Sequence, residues 1–357
     1  MTWLAWRQLR TPAAVAALGV LGILVALALT GPHLLNVYDT VVVPCAAHGD
    51  CSPVTAHFQG LDSQLRHLCS ALMILTPVLL GVFLGAPLVA RELEAGTYRL
   101  AWTQSVTRMR WIATRLTLMT LVAAMLMGLL STAVTWWQRP LDLVAGPLWL
   151  NFDQRDVVPV AYAVFAVALG AFLGAIARRT LAAMAGTIAG YFGARYLVAH
   201  YVRPALFTPL RANLPFRLQV TATGTESTIG PPQPSDWPVS NQIVTGTGKV
   251  VGENGGIGPN GALGGFDVKG NGTAVFTGVG KCPNRIPVSP GLAHSHPTPA
   301  TNAALQRCID SFHLRNVVSY QPASRYWPLQ WTEAAIFVAL AVALAVGCVW
   351  WVRRRLP

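Results

Sequence analysis

Six long apolar runs set the limits on what this chain of 357 residues can fold into: Pro12–Thr30, Leu68–Ala90, Ile112–Trp136, Val157–Ala177, Leu181–Tyr201 and Ala334–Val352. Crossing about 30 Å of hydrocarbon as a helix takes roughly 17–25 residues. Inside a bilayer each backbone polar group must be satisfied within its own segment. Runs of this length therefore predict six transmembrane helices. Only 11% of residues are charged, against about a quarter in soluble globular domains. The first run lacks a small-residue cleavage site, because Leu34, Leu35 and Asn36 follow Gly31-Pro32-His33. It reads as a span rather than a signal peptide.

The net charge of +12 is distributed unevenly between the spans. With the N-terminus inside, the cytoplasmic segments hold twelve arginines and two acids, Glu92 and Glu94. The outer segments hold 13 basic and 12 acidic residues. An excess of basic residues on one face marks the cytoplasmic side, so both termini are predicted there. A nucleic-acid binder is excluded, because the positive charge is cut into short pieces between apolar runs. Trp3, Trp6, Trp111, Trp350 and Trp351 fall at the inner boundaries, and Trp136, Trp137, Trp149, Trp327 and Trp331 at the outer ones. Aromatic rings favour those levels.

Residues 1–11 are short, basic and aromatic. Trp3, Trp6, Arg7 and Arg10 are spaced for a helix lying on the inner membrane surface, with Thr11-Pro12 turning the chain into the first span. Cys45 and Cys51 share the first outer loop, and Cys282 and Cys308 the last. Disulfides persist in oxidising compartments, so each pair is a candidate bridge, with free buried thiols as the alternative. Residues 202–330 form a separate extracytoplasmic region, Pro-rich and then Gly-rich. Phe216–Thr223, Gln242–Val251 and Thr273–Phe276 favour strands, and Asn302–Arg315 has a helical pattern. The fold class is therefore an all-α polytopic membrane protein with a β-rich, Gly-rich module between spans five and six.

Chemistry-bearing motifs are weak. Thr245–Val250, "TGTGKV", has part of a phosphate-loop pattern but lacks the upstream Gly and the Ser/Thr that holds magnesium. Gly256–Gly261, "GIGPNG", matches GxGxxG by letter without a strand-turn-helix frame. His294 and His296 lack a third metal ligand nearby. No nucleophile elbow and no paired carboxylates within the spans point to catalysis. Arg195 lies within the fifth span, and a charge there is costly enough to suggest function. It sits near the outer end, so a structural anchor and a pathway residue are both open readings.

Between spans two and three lies a dense, mixed-sign island, "ARELEAGTYRLAWTQSVTRMRW", from Ala90 to Trp111. Pro87 is placed to bend the second span just before it. Glu92 and Glu94 are expected to have cationic partners, with Arg7, Arg10 and Arg99 as candidates. Gly96 suits a tight turn. The order Glu92, Glu94, Gly96-Thr97, a short helix Tyr98–Gln104, then Ser105 to Arg108 resembles the corresponding loop of type-2 ABC exporter permeases. The form with "AWTQSVTR" is similar to a branch common in actinobacteria. Val318–Arg355 resembles the end of the same branch: an approach strand, a last span and a basic tail.

The resemblance implies a non-catalytic permease subunit in the bacterial cytoplasmic membrane. Two copies, as a homodimer or heterodimer, would work with separately encoded ABC ATPases. ATP and Mg would be bound by those partners and no cofactor by this chain. It also implies that Glu92, Glu94, Gly96, Thr97, Tyr98, Leu100, Trp102 and Arg108 form the coupling loop that docks on the ATPase, braced by the N-terminal helix. The alternative is a membrane-anchored receptor or assembly protein whose outer module binds a ligand without transport.

Overall fold

The apolar runs are helices, and in the computed structural model most extend past the limits read from hydropathy. The structure describes residues 2–46, 51–96, 107–145, 148–221, 224–228, 232–233, 235–253, 256–257, 266–268, 274–276, 280–282 and 299–355. The chain divides into a helical unit, residues 1–206 with 326–357, and a second unit, residues 207–325.

In the helical unit, Thr2–Val37 is one helix, continued by a π-helical turn, Tyr38–Val42, and a last turn, Val43–Ala46. The break expected at Thr11-Pro12 is absent. Pro12 removes only one backbone donor, and the alanine-rich segment after it favours helix strongly. After a short helix, Ser52–Gly60, the second long helix runs as Ser63–Leu80, a π-helical turn Gly81–Gly85 and Ala86–Glu94. The π turn stands immediately ahead of Pro87, where the missing proline N–H disrupts the regular ladder. Arg108–Ala145, Val158–Ala177, Thr180–Leu197 and Tyr326–Arg355 complete the long helices.

Among the described residues five stretches are long and apolar enough to cross a membrane: Ala14–Cys45, Ser63–Glu94, Met109–Val144, Val158–Ala177 and Ala323–Arg354. The expected fifth span is a helix, Thr180–Leu197, followed by a π turn, Val198–Val202, but it is not among the five. Its glycines, tyrosines and Arg195 dilute its apolar character.

Val158–Ala177 is central to this unit and touches the second, third and last long helices as well as Thr180–Leu197. Small residues such as Ala163, Ala166, Gly170, Ala171 and Gly174 are buried along it. Their size decides how near the neighbours come. A Cβ on Gly170 would lie 2.5 Å from the Gly81 carbonyl oxygen, and one on Gly81 would lie 2.6 Å from that of Ala166. Backbone-to-backbone approach of this kind, rather than bulky side chains, drives helix association in lipid.

The second unit is antiparallel. Strands β1 (Leu210–Pro215), β2 (Arg217–Thr221), β3 (Gly224–Thr228), β4 (Trp237–Val244), β5 (Val250–Glu253), β6 (Gly256–Ile257), β7 (Phe266–Val268), β8 (Ala274–Phe276), β9 (Gly280–Lys281) and β10 (Arg315–Gln321) are described. They form a sheet in the order β1-β10-β4-β5-β6, a β2-β3 hairpin and a β7-β8-β9 meander. Ile243 and Val318 are fully buried on one face of the main sheet. One helix, Pro299–Ser311, joins them. Residues 202–206 and 326–330, expected in this module, belong to the helical unit instead. Arg203, Tyr326 and Gln330 are hydrogen-bonded into it.

Candidate functional site

The stem of the charged island is held at two points. Glu92, half-buried near the tip of the second long helix, forms an ion pair with Arg115 of the third. The Arg115 guanidinium also lies 4.5 Å from the centroid of the Trp111 ring. Two residues on, Glu94 Oε2 accepts hydrogen bonds from the Thr180 amide N–H, at 3.1 Å, and from the Thr180 hydroxyl, at 2.7 Å. The second helix thereby caps the exposed N-terminus of Thr180–Leu197, where backbone N–H groups lack intrahelical partners. Arg115 and Thr180, not foreseen from the sequence, partner the two acids; the side chains of the expected partners Arg7, Arg10 and Arg99 lie outside what the structure describes. Arg115 lies one helical turn beyond Trp111, within reach of Glu92 only once the two helices pack.

Gly96 then takes a left-handed conformation, φ +69°, which a β-carbon disfavours. It follows the end of the helix, within the island. Thr97, Tyr98, Leu100 and Trp102 lie outside the described residues, as do His294 and His296. The backbone at Trp3, Trp6, Arg7 and Arg10 is helical. Their side chains, like that of Arg108, also lie outside what the structure describes. At the far end of the island the Thr107 carbonyl accepts from the Trp111 amide.

A family model described as "ABC-2 membrane transporter related" matches residues 15–203. The chain belongs to this family. The match spans four of the long helices, the Thr180–Leu197 helix and the island between the second and third. No curated protein and no solved structure matches the chain.

In this ABC-2 family member a second set of charges lies at the opposite end of the helical unit. Arg203 donates from Nε and Nη2 to the two carboxylate oxygens of Glu333, at 2.8 and 2.9 Å, and also pairs with Asp153. The other Asp153 oxygen accepts from Arg195 at 3.2 Å. Tyr162 donates its hydroxyl to Glu333 at 2.6 Å. The Arg195 guanidinium lies 4.6 Å from the Tyr162 ring centroid and 5.7 Å from that of Tyr191. Two arginines and two carboxylates thus neutralise each other, and Glu333 is only 1% exposed.

Beside them Arg155 donates to Asp142 at 2.6 Å. Burial opposes the charge on Arg155, but Asp142, with Tyr326 and Asp156, outweighs it and raises its pKa. Arg195 is therefore tied into a closed network. Asp153, Arg203, Glu333 and Tyr162 escaped the sequence reading. The available signal was Glu333, a carboxylate at the edge of the last apolar run.

The remaining motifs find ordinary places. Thr245–Lys249 forms the turn between β4 and β5, with Val250 opening β5; the turn is closed by the Thr245 amide donating to the Lys249 carbonyl, with Gly248 at φ +84°. Gly256–Ile257 is strand β6, and the rest of "GIGPNG" lies outside the described residues. Disulfides join Cys45 to Cys51 and Cys282 to Cys308. Cys69 and Cys348 are buried thiols. Among the described residues no group of three or more His, Cys, Asp or Glu side chains is arranged to hold a metal.

Proposed function

We propose that this chain is the membrane-spanning subunit of an ATP-driven exporter, paired with a separately encoded ABC ATPase and with a second permease copy. The observation that carries this reading is the bracing of the island's stem. Glu92 ties it to the third long helix and Glu94 to the start of Thr180–Leu197. A displacement applied to the island is then shared by three helices rather than absorbed in one loop. Coupling of this kind needs packed elements that move as rigid bodies. Family membership supplies the partner class, since ABC-2 permeases work with ABC ATPases. The chain itself then has no catalytic role, and ATP and magnesium are bound by the partner.

In this proposal Thr180–Leu197 with Val198–Val202 is a sixth span, dipping into the bilayer beside Val158–Ala177. Both termini face the cytoplasm, as the positive-inside asymmetry supports. Residues 207–325 are then extracytoplasmic, where Cys282 and Cys308 meet an oxidising environment. The branch common in actinobacteria belongs to the same proposal.

Two measurements test this. A single cysteine at Ser227 is expected to react with an impermeant label in intact cells, and one at Thr107 only after lysis. The reverse pattern overturns the sidedness. W102A and G96V are expected to reach the membrane at normal levels, to lose co-purification with the ATPase encoded beside the permease and to abolish transport-coupled ATP hydrolysis. Full binding and export in both variants overturns the coupling role.

A further inference from the structure

A groove of about 1270 Å³ runs between the first and second long helices. Val15, Gly19 and Ile23 lie on one wall and Leu72, Leu79 and Phe83 on the other. From Val15 to Ile23 the groove has both walls over about 12 Å of helix, close to the half-thickness of a hydrocarbon core of about 30 Å. At one end the lining changes to Arg91, Glu92 and Arg115. Glu92 and Arg115 neutralise each other. Arg91 is exposed and has no ion pair among the described residues. Among the described residues the groove is therefore apolar along one leaflet's depth and ends on an exposed cation, Arg91, that no described carboxylate pairs.

That combination fits an amphiphile with a hydrocarbon chain and an anionic head. We propose that the groove seats one acyl chain of an anionic phospholipid, with its phosphate at Arg91. The chain alone gains little over bulk bilayer, because lipid tails are as apolar as the lining. Selectivity comes from the phosphate at the cation.

A second copy of this chain is a poorer occupant. A two-fold pairing sets a patch against itself, and two concave surfaces would leave a larger void. The wall is also open at Gly19. A Cβ built on Gly19 meets nothing within 4 Å, so a side chain introduced there enters the groove rather than the protein. Placing the lipid in the cytoplasmic leaflet rests on the sidedness proposed above; occupancy of the groove does not.

The test uses the full chain purified without any ATPase, so that failure of ATPase pairing leaves the result unaffected. Mixed micelles carry phosphatidylglycerol or phosphatidylcholine, and bound lipid is counted by native mass spectrometry. The wild-type chain is expected to retain phosphatidylglycerol in preference to phosphatidylcholine. R91Q is expected to lower that preference about fivefold, the effect of one basic group at a headgroup. G19W is expected to lose bound lipid of both kinds while keeping its melting temperature and oligomeric mass. G19L fills less of the groove and decides the case if G19W aggregates. Unchanged preference in R91Q, or retained lipid in a folded Gly19 variant, overturns the proposal. A Gly19 variant that changes oligomeric mass assigns the groove to an interface between copies and also overturns it.

Discussion

Glu94, on the second long helix, caps the helix that begins at Thr180, accepting both its amide N–H and its hydroxyl on one carboxylate oxygen. The hydrogen bonds and the positive end of the helix both favour the carboxylate. E94A removes the acceptor, whereas E94Q keeps a neutral one. Hydrogen exchange at residues 180–184 is expected to speed up in E94A and to change little in E94Q. Unaltered exchange in E94A would show that the cap does not hold this end.

The Glu92–Arg115 pair makes a separate prediction. E92A leaves a buried guanidinium without its carboxylate and is expected to cost about 1.5–3 kcal/mol, the range for a lost hydrogen bond to a charged group. The exchanged pair E92R/R115E is expected to recover part of that loss. Unfolding in detergent across the four members of this cycle checks it. Additive single effects, with no recovery, would mean the two side chains act independently.

Glu333 is more deeply buried, and its loss leaves Arg195 and Arg203 with Asp153 alone, so that one positive charge is stranded. E333A is expected to destabilise by roughly 3–5 kcal/mol, as when one partner of a buried ion pair is removed. The double variant E333L/R203M, with both charges gone, is expected to be markedly more stable than E333A. Equal melting temperatures for the two variants would contradict the view that the stranded charge is the cost.

Gly170 has no room for a side chain, since its Cβ would meet the backbone of Gly81, Gly85 and Ala86. G170V is expected to cost at least about 1–3 kcal/mol through overpacking and to give a broad, aggregated profile on size exclusion. G193V, where a Cβ meets nothing within 4 Å, is the control and is expected to stay monodisperse.

Cys282 and Cys308 are 26 residues apart in sequence. Closing a loop of that length stabilises by about 3–4 kcal/mol in the chain-entropy treatment. Non-reducing peptide mapping is expected to recover the two as a linked pair. C282S/C308S is expected to raise protease sensitivity in residues 207–325 while leaving the long helices intact. Both thiols freely alkylated in native, unreduced protein would rule the bridge out.

By itself the sequence determined the long helices, because a run that must cross hydrocarbon has no other way to satisfy its backbone. It also indicated the β-rich character of residues 207–325 in outline, through β-favouring runs cut by Gly and Pro, whereas the antiparallel pairing is a tertiary fact. Glu92, Glu94 and Gly96 stood out because charge and a turn residue are conspicuous between apolar runs. Only the tertiary structure decided who meets whom. Arg115 answers Glu92, and the hydroxyl and amide of Thr180 answer Glu94, because partner choice depends on which helices lie side by side. The same holds for Asp153, Arg195, Arg203 and Glu333. They are scattered over 180 residues of sequence and have no local signature. Packing brings them together, since a charge taken out of water needs its counter-charge within hydrogen-bond reach.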